Sequence, residues 1–545
     1  MTSAVKYPCD AILAPPPAAL PSTTRACGPW ILAATVLGSS MAFIDGTVVT
    51  VALPNLQASL HATLSQVQWV VESYALFLAA LLLVGGALGD LYGRRFIFAL
   101  GVLTFAGASA WCGLSAGIRQ LIVARAVQGV GGALLVPGSL AIISASFPPE
   151  DRGKAIGTWS AFTGITAAIG PVLGGWLVEH LSWRWVFFIN LPIAAVVLAL
   201  CYWRVPESRD ENRAPHLDLF GAALITFGLG ALVYGLIESS NYGWRHPLVW
   251  GSLMAALVAI AAFLLVEAGN KSPLVPLRLF RSRNFAGANL LTLFLYAALG
   301  AILFFLPFNL IQVQGYTPTQ AGAANLPFIL IMFFLSRWAG GLTARYGARL
   351  PLVVGALLSA AGFTLFARPG LGGSYWTTFF PAMVVLGLGM ACVVAPLTTT
   401  VMSSVEQSQA GTASGINNSV SRIASLLAVA VFGVILFYIF DARLRQELER
   451  LPVDQAAKQQ IYEQRNRLTQ IQLPNGLDEQ QKEQARRAVD ESFLSAFRSV
   501  MLLSALLSAI SGLVAWLTLE RSQASPAASG TIIAASPDSL GGRNT

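Results

Sequence analysis

The sequence predicts an all-α membrane protein of fourteen transmembrane helices, built as two six-helix bundles plus two inserted helices. Three observations carry this reading. Of 545 residues, 55% are hydrophobic and only 11% are charged, against roughly 25% charged in a soluble domain. Apolar stretches of about 20 residues, the length that crosses a hydrocarbon core of roughly 30 Å, recur along the chain, and mean hydropathy is +0.64. A polar motif between two such stretches, GALGDLYGRRF at 86–96, returns as GGLTARYGARL at 340–350, an offset of 254 residues.

Cutting the apolar windows at charged or Pro/Gly-rich breaks gives the elements in order. The first span, 29–53, starts at Pro29; it is too long, and too polar at Asp45, for a cleaved signal peptide. Spans 67–89 and 97–116 flank GALGDLYGRR, and 120–145, 154–178 and 184–203 complete a first bundle. The pair 217–237 and 247–267 has no counterpart under the 254-residue offset, which carries Pro29 to Arg283, and so reads as an insertion. The second bundle holds 284–312, 321–343, 350–368, 375–400, 411–440 and 493–519. Two repeats in parallel suit a transporter that rocks one bundle against the other.

The expected organisation is a cytoplasmic tail at 1–28, bundles at 29–203 and 284–519 separated by 204–283, and a disordered tail at 520–545. Inner loops and tails carry 17 Lys/Arg, whereas the short outer loops carry four, Arg119, Arg184, Arg245 and Arg368. That bias places both termini on the cytoplasmic side of the cell (inner) membrane. The outer stretch 441–492 is nearly neutral, with nine Lys/Arg against ten Asp/Glu, and has helical rhythm broken at Pro452 and PNG 474–476. It is expected to form a helical hairpin extending the last two spans. A solvated spacer is the favoured reading of it, with a docking site or exit lid as the alternative.

Several function classes are excluded by composition. The net charge of +8 comes without a basic run, so nucleic acid is not an expected partner. The five cysteines have no CxxC pair and no neighbouring His; free thiols are expected, with no metal and no cofactor. The four histidines, His61, His180, His216 and His246, stand in loops or at span ends, without the spacing of an enzyme's catalytic base, and no GxxxxGK[ST] supplies ATP drive. The partners left are the bilayer, a small molecule and protons, with a monomer expected.

Asp45, Glu72 and Arg125 fall in the outer halves of spans of the first bundle, about 12, 8 and 8 Å from the outer ends by a rise of ~1.5 Å per residue. Ionised groups at such depth face a partner or a watered cavity. Arg125 cannot release its proton and holds one carboxylate ionised; the other, desolvated when the cavity closes, is free to carry a proton. Asp45 is the expected principal site, with Glu72 a second site or a contact for cationic cargo. The alternative is an ion-paired rivet between the first and fourth helices.

Gly170-Pro171 stands mid-span, where proline removes a backbone hydrogen bond and bends the helix, while Gly170, Gly174 and Gly175 permit close approach. In the loop motif, Gly86 and Gly89 allow close packing, Gly93 permits a tight turn, and Arg94 and Arg95 anchor the inner face. Asp90 can accept hydrogen bonds from a helix N-terminus of the other half, near Gly411. Phe77, Trp159, Phe162, Asn289, Tyr296, Asn309, Asn417, Asn418 and Arg422 are candidates to line a substrate cavity; a buried structural pair is the other reading of Arg422.

Four stretches together resemble the fourteen-helix drug:proton antiporter family of the major facilitator superfamily: IDGTVVTVALP (44–54), GALGDLYGRR, LIVARAVQGVGG (121–132) and IGPVLGG (169–175). The resemblance covers about residues 28–520. It departs from the family pattern at Leu91, Thr50 and Thr166, where a basic residue, Asn and Gly are usual. It implies the major facilitator fold and multidrug efflux by antiport. It also implies that the Asp90 motif latches the outward-open state, and that Gly170-Pro171 is a seal and hinge. Simple loop anchoring and a packing kink remain the alternatives for these two motifs. The alternative functions are export of a lipid or endogenous metabolite, or a non-transporting sensor.

Overall fold

The structure, a computed structural model, describes residues 23–209, 218–270, 273–406 and 409–520. Among them, fourteen helices are long and apolar enough to cross a membrane, and each overlaps one expected span. They are α1 (Thr23–Ser59), α2 (Leu64–Tyr92), α3 (Arg94–Leu114), α4 (Ile118–Ser146), α5 (Pro149–His180), α6 (Trp185–Arg204), α7 (Leu219–Tyr242), α8 (Pro247–Gly269), α9 (Arg283–Phe308), α10 (Leu326–Tyr346, after a turn at Pro318–Ala323), α11 (Arg349–Phe366), α12 (Phe380–Ser403), α13 (Ala410–Arg450) and α14 (Glu479–Thr518). The expected disordered tail at 521–545, and residues 1–22 of the other tail, lie outside the described residues.

Local chemistry sets several boundaries. Thr63 with Gln66 and Asp478 with Gln481 form capping boxes at the starts of α2 and α14, and Asp218 accepts the Gly221 N–H at the start of α7. Helix α1 continues through Pro54 to Ser59, beyond the expected end at 53. Of the cysteines, Cys112, Cys201 and Cys392 are free thiols, while Cys27 is disulfide-bonded, a pairing that a search for close CxxC spacing does not detect.

Pairing of helices follows the repeat. Helices α1·α5, α2·α4, α3·α4, α3·α6 and α1·α6 pack in the first half, and α9·α13, α10·α12, α11·α12, α11·α14 and α9·α14 in the second. The offset persists at single contacts. A Cβ on Gly101 would fall 2.7 Å from the Leu135 nitrogen, and one on Gly355, 254 residues on, 2.7 Å from the carbonyl of Gly389, itself 254 residues after Leu135. Both glycines let two backbones touch.

The inserted helices pack on each other, and α7 also packs on α2 and on α13. Leu76 of α2, Leu229, Val233 and Ile237 of α7, and Leu426 and Ala430 of α13 form one buried apolar cluster. The insertion therefore bridges the two halves along one seam.

The two ends of the bundle differ. At the end that carries 441–492, the hairpin end, the halves are joined. The turn before α10 packs on α5, with the Thr319 N–H donating to Glu179 at 3.1 Å. Gln68 of α2 donates to the Val429 carbonyl at 2.6 Å. Toward the opposite end, the tail end, where α1 begins and α14 ends, α5 stands clear. Its Pro171 and Gly175 meet Gly322 and Pro318, but Gly157, Ser160 and Ala161, on the same face two to four turns earlier, are exposed. The space between the halves opens toward the tail end.

The hairpin departs from a solvated spacer. Helices α13 and α14 extend into it and a short helix, Gln455–Glu463, follows α13. Leu468 and Ile471 at its tip are buried in the main core cluster. Gln57 of α1 donates to the Arg467 carbonyl at 3.3 Å, Gln312 donates to Gln57 at 3.1 Å, and Thr469 bonds Gln312. Leu468 has φ 52° and ψ −123°, a conformation that costs a non-glycine residue roughly 1–3 kcal/mol and persists only where packing imposes it.

Candidate functional site

Asp45 and Arg125 meet in the interior of the first half. The carboxylate Oδ2 lies 2.5 Å from Arg125 Nη1, with the two side chains 0% and 1% exposed. Gln128, one turn along α4, donates to Asp45 Oδ1 at 2.8 Å and accepts from Arg125 Nη1 at 2.8 Å. Asn190 of α6 donates to the same Oδ1 at 3.5 Å and to Ser109 of α3 at 3.0 Å. Arg125 Nε donates to the Val70 carbonyl at 3.1 Å, and the guanidinium lies 4.2 Å over the Tyr74 ring. Five helices thus converge on one carboxylate and one guanidinium, which answers the cost of burying charge.

The depth of Asp45 differs from expectation. With α1 ending at Ser59, it stands about 21 Å from that end at ~1.5 Å per residue, rather than about 12 Å. It meets Arg125 because α1 projects further at the hairpin end. Gly46, the next residue, is exposed and a Cβ there would meet nothing within 4 Å. The face of α1 beside the pair is therefore open at Gly46, while the pair itself is enclosed.

Glu72 is apart from this cluster. It is fully buried, and neither carboxyl oxygen has a hydrogen-bond partner among the described residues. One turn from it on α2, Trp69 donates to Glu238 of α7 at 3.2 Å and Leu76 packs on α7 and α13. Glu72 thus belongs to the seam with the insertion.

The loop motif is held within the first half. Gly93 has φ +113°, which favours glycine, and a Cβ there would fall 2.7 Å from the Glu207 carboxyl carbon. Glu207 accepts the N–H groups of Arg95 and Phe96 at 2.9 and 3.1 Å, an anion at the start of α3. Arg94 Nε donates to Asp90 at 3.0 Å, Arg95 donates to the Val205 carbonyl at 3.1 Å, and a Cβ on Gly86 would touch Pro137 of α4. At the expected counterpart of Asp90, Gly411 is exposed with nothing within 4 Å of a Cβ.

Gly170, Gly174, Gly175 and Pro171 form a two-sided contact. Added Cβ atoms on Gly170 and Gly174 would strike Thr47 and Val48 of α1, and one on Gly175 would strike the Pro318 carbonyl. The Pro171 carbonyl in turn occupies the place of a Cβ on Gly322. Helix α5 is therefore clamped between α1 and the turn before α10.

The cavity candidates divide. Asn417 donates to Asn289 at 3.2 Å and to Thr292 at 2.7 Å, a buried tie between α9 and α13. Asn309 is fully buried at the hairpin end, in a π-turn following α9. Phe77 lies beside Gly129 of α4, Trp159 donates to Ser39 of α1 at 3.1 Å, and the Tyr296 carbonyl accepts from Ser425 at 3.4 Å. Phe162 and Asn418 are exposed. Arg422, half-buried one turn from Asn418, makes no ion pair among the described residues, and its Nε is buried without a partner.

Sequence reasoning missed Gln128, Asn190, Ser109 and Glu207. Gln128 had a signal, three residues after Arg125 and so on the same helix face. Asn190, Ser109 and Glu207 had none.

A bundle of membrane-spanning helices repeated twice, with a charge pair buried inside its first half, is the architecture of a membrane transporter. The profile of the Major Facilitator Superfamily matches residues 35–429, and the chain belongs to that family. The tetracenomycin C resistance and export protein of Streptomyces glaucescens is 38% identical, aligned over 75% of this chain and 76% of its own. The multidrug resistance protein Stp of Mycobacterium tuberculosis is 38% identical over 78% of each chain, and the puromycin resistance protein pur8 of Streptomyces alboniger is 37% identical over 76% of this chain and 84% of its own. The crystal structure of a bacterial homologue of the human lysosomal transporter Spinster has the same fold, with TM-score 0.65 at 19% identity, covering 90% of this chain and 98% of its own. The chain is a multi-pass transporter of small molecules, of the drug-efflux type.

Proposed function

We propose that this transporter exports amphipathic small molecules in exchange for protons by alternating access, as a monomer in the cell membrane with both tails cytoplasmic. On that orientation the opening toward the tail end is the inward-facing state. The observation that carries the reading is the Asp45–Arg125 pair, fully buried inside the first half and held by Gln128 and Asn190. A proton on Asp45 cancels the charge that holds Arg125, so protonation and helix rearrangement are coupled through one contact. Glu72, at the seam, is the second proton site or a contact for cationic cargo.

Around this centre, Gly86, Asp90, Gly93, Arg94 and Arg95 act as the latch of the outward-open state. Gly170, Pro171, Gly174 and Gly175 seal the hairpin end. Phe162, Asn418 and Arg422 border the cargo path. Relatives named for export of, or resistance to, tetracenomycin C and puromycin support a drug-like cargo.

The test is efflux from inverted vesicles under a pH gradient. Wild type should accumulate cargo, collapse with a protonophore, and lose accumulation in Asp45→Asn at unchanged membrane yield. Undiminished accumulation in Asp45→Asn removes the proton assignment.

A further inference from the structure

The closed hairpin end holds a cavity of about 360 Å³ where the turn after α1 meets the tip of the hairpin. One wall belongs to the first half, with Gln57 and His61. The other belongs to the second half, with Arg467 and Gln470 of the hairpin and Arg486 of α14. Two guanidiniums and an imidazole line the space and no carboxylate does, although the hairpin as a whole is nearly neutral. A cleft lined by one sign of charge between low-dielectric walls concentrates ions of the opposite sign.

The donors on these walls are held in place but left unused. Gln57 donates to the Arg467 carbonyl at 3.3 Å, which fastens the Arg467 backbone to the first half. The half-buried Arg467 guanidinium itself makes no ion pair and no hydrogen bond among the described residues. Arg486 gives one N–H to the Thr469 carbonyl at 2.9 Å, and neither Glu483 nor Asp490, one turn to either side of it on α14, forms an ion pair with it. Both walls are also strained. The two non-glycine residues of positive φ among the described residues are His61, at 50°, and Leu468, at 52°, beside Arg467. Backbone of this kind persists only where its surroundings impose it, and it gathers at ligand clamps.

We propose that this cavity binds an oxyanion, a phosphate, sulfonate or carboxylate group, through Arg467 and Arg486 with His61 on the facing wall, and that the occupant holds the hairpin end closed. A guanidinium fork matches two oxygens of such a group. Because the walls belong to different halves, the cavity comes apart when that end opens, and an anion that binds only the assembled form stabilises it by mass action. The site is separate from the Asp45–Arg125 pair and goes beyond the export reading: an anion on the hairpin side restrains turnover without being carried. A soluble anion and an anionic lipid headgroup offer the same chemistry.

The test uses full-length protein in nanodiscs of zwitterionic lipid, with Ala58→Cys at an exposed position of the cavity wall. The probes are 2-sulfonatoethyl methanethiosulfonate and its trimethylammonium counterpart, with rates corrected for the parent protein and normalised to a small free thiol. The sulfonate should react at least ~10-fold faster than the ammonium, the ratio that one charge-assisted contact supplies. Adding Arg467→Gln should bring the ratio near one, Arg486→Gln should lower it, and Arg467→Lys should keep most of it. Inorganic phosphate, exchanged for chloride at constant ionic strength, should slow the sulfonate reaction in Ala58→Cys but not in its combination with Arg467→Gln. Phosphatidylglycerol in the disc separates the sources: a preference lost there assigns the site to a lipid headgroup, and a preference kept assigns it to a soluble anion. A ratio near one in zwitterionic discs, a ratio unchanged by both glutamine variants, or no effect of phosphate overturns the site. In reconstituted vesicles, phosphate on the hairpin side should slow cargo efflux by about twofold at half-saturation in wild type and leave Arg467→Gln unaffected; efflux equally unaffected in both overturns the lock. The labelling does not require export, so this site and the proton-exchange reading fail independently.

Discussion

At the residue scale the decisive contact is the one between Asp45 and Arg125, because neither group has water to fall back on. Removing one member of a buried pair leaves the other uncompensated, at a cost of about 3–5 kcal/mol. Arg125→Met should therefore lower the detergent melting temperature markedly, whereas a surface change such as Lys458→Met should not move it. Arg125→Lys tests geometry rather than charge. Lysine cannot reach Asp45, Gln128 and the Val70 carbonyl together, so pH-driven efflux should fall at least ~10-fold, the value of one lost charge-assisted bond. Efflux within twofold of wild type in Arg125→Lys would show that a point charge is enough.

The same scale explains what was readable. Asp45, Glu72 and Arg125 stand out in a sequence because a charge inside an apolar window is rare. Asn190 and Ser109 complete the site just as directly, but small polar residues are common within spans and announce no partner. Glu207 lies past the end of its span and acts 112 positions from the Arg95 N–H it caps, a pairing that only the folded chain defines. Depth along a helix was readable only as well as the helix end, which for α1 lay six residues further on, and facing was not readable at all. Asn289 and Asn309 fell on the expected helix, and the structure gives them to a helix tie and to the closed end.

Among elements, α5 is the one whose two faces do different work. Gly175 lies against the Pro318 carbonyl, so Gly175→Leu should keep the hairpin end from closing. A cysteine pair at Glu179 and Thr319, whose native groups meet at 3.1 Å, measures this. It should cross-link readily in an otherwise wild-type background and poorly with Gly175→Leu. Equal cross-linking in the two backgrounds would mean that the helices have another way to meet. Gln312 is the corresponding point on the hairpin, since it bonds both Gln57 and Thr469. Gln312→Ala loses the one of these hydrogen bonds that joins the halves, the bond to Gln57, worth about 1 kcal/mol, a shift of roughly fivefold in the ratio of closed to open at that end. The spans themselves were readable from apolar length alone, whereas the strained, buried tip at Leu468 was not, because a polar, helical stretch of neutral charge reads the same whether it is solvated or docked.

For the whole molecule, the repeat and the insertion pull in opposite directions. Two equivalent bundles can rock freely, but α7 sits against both at the α2–α13 seam and so makes that seam the natural pivot. The halves should then separate most on the far side, between α5 and α10. Single cysteines at Ser160 and at Gly157, exposed in the present state, should react with a maleimide added on the side away from the hairpin and become protected when cross-linking at the hairpin end is released. Protection that does not change with state would mean that the bundles do not rock about this line.

The strap from α13 to α14 belongs to the second bundle by sequence, yet its Arg467 carbonyl is fastened to Gln57 of the first. A surface that joins parts of both bundles exists only while they are together. An antibody fragment with a footprint across Gln57 and the Arg467 segment would thus recognise a conformational epitope, and on addition from the hairpin side it would arrest turnover by trapping a single state.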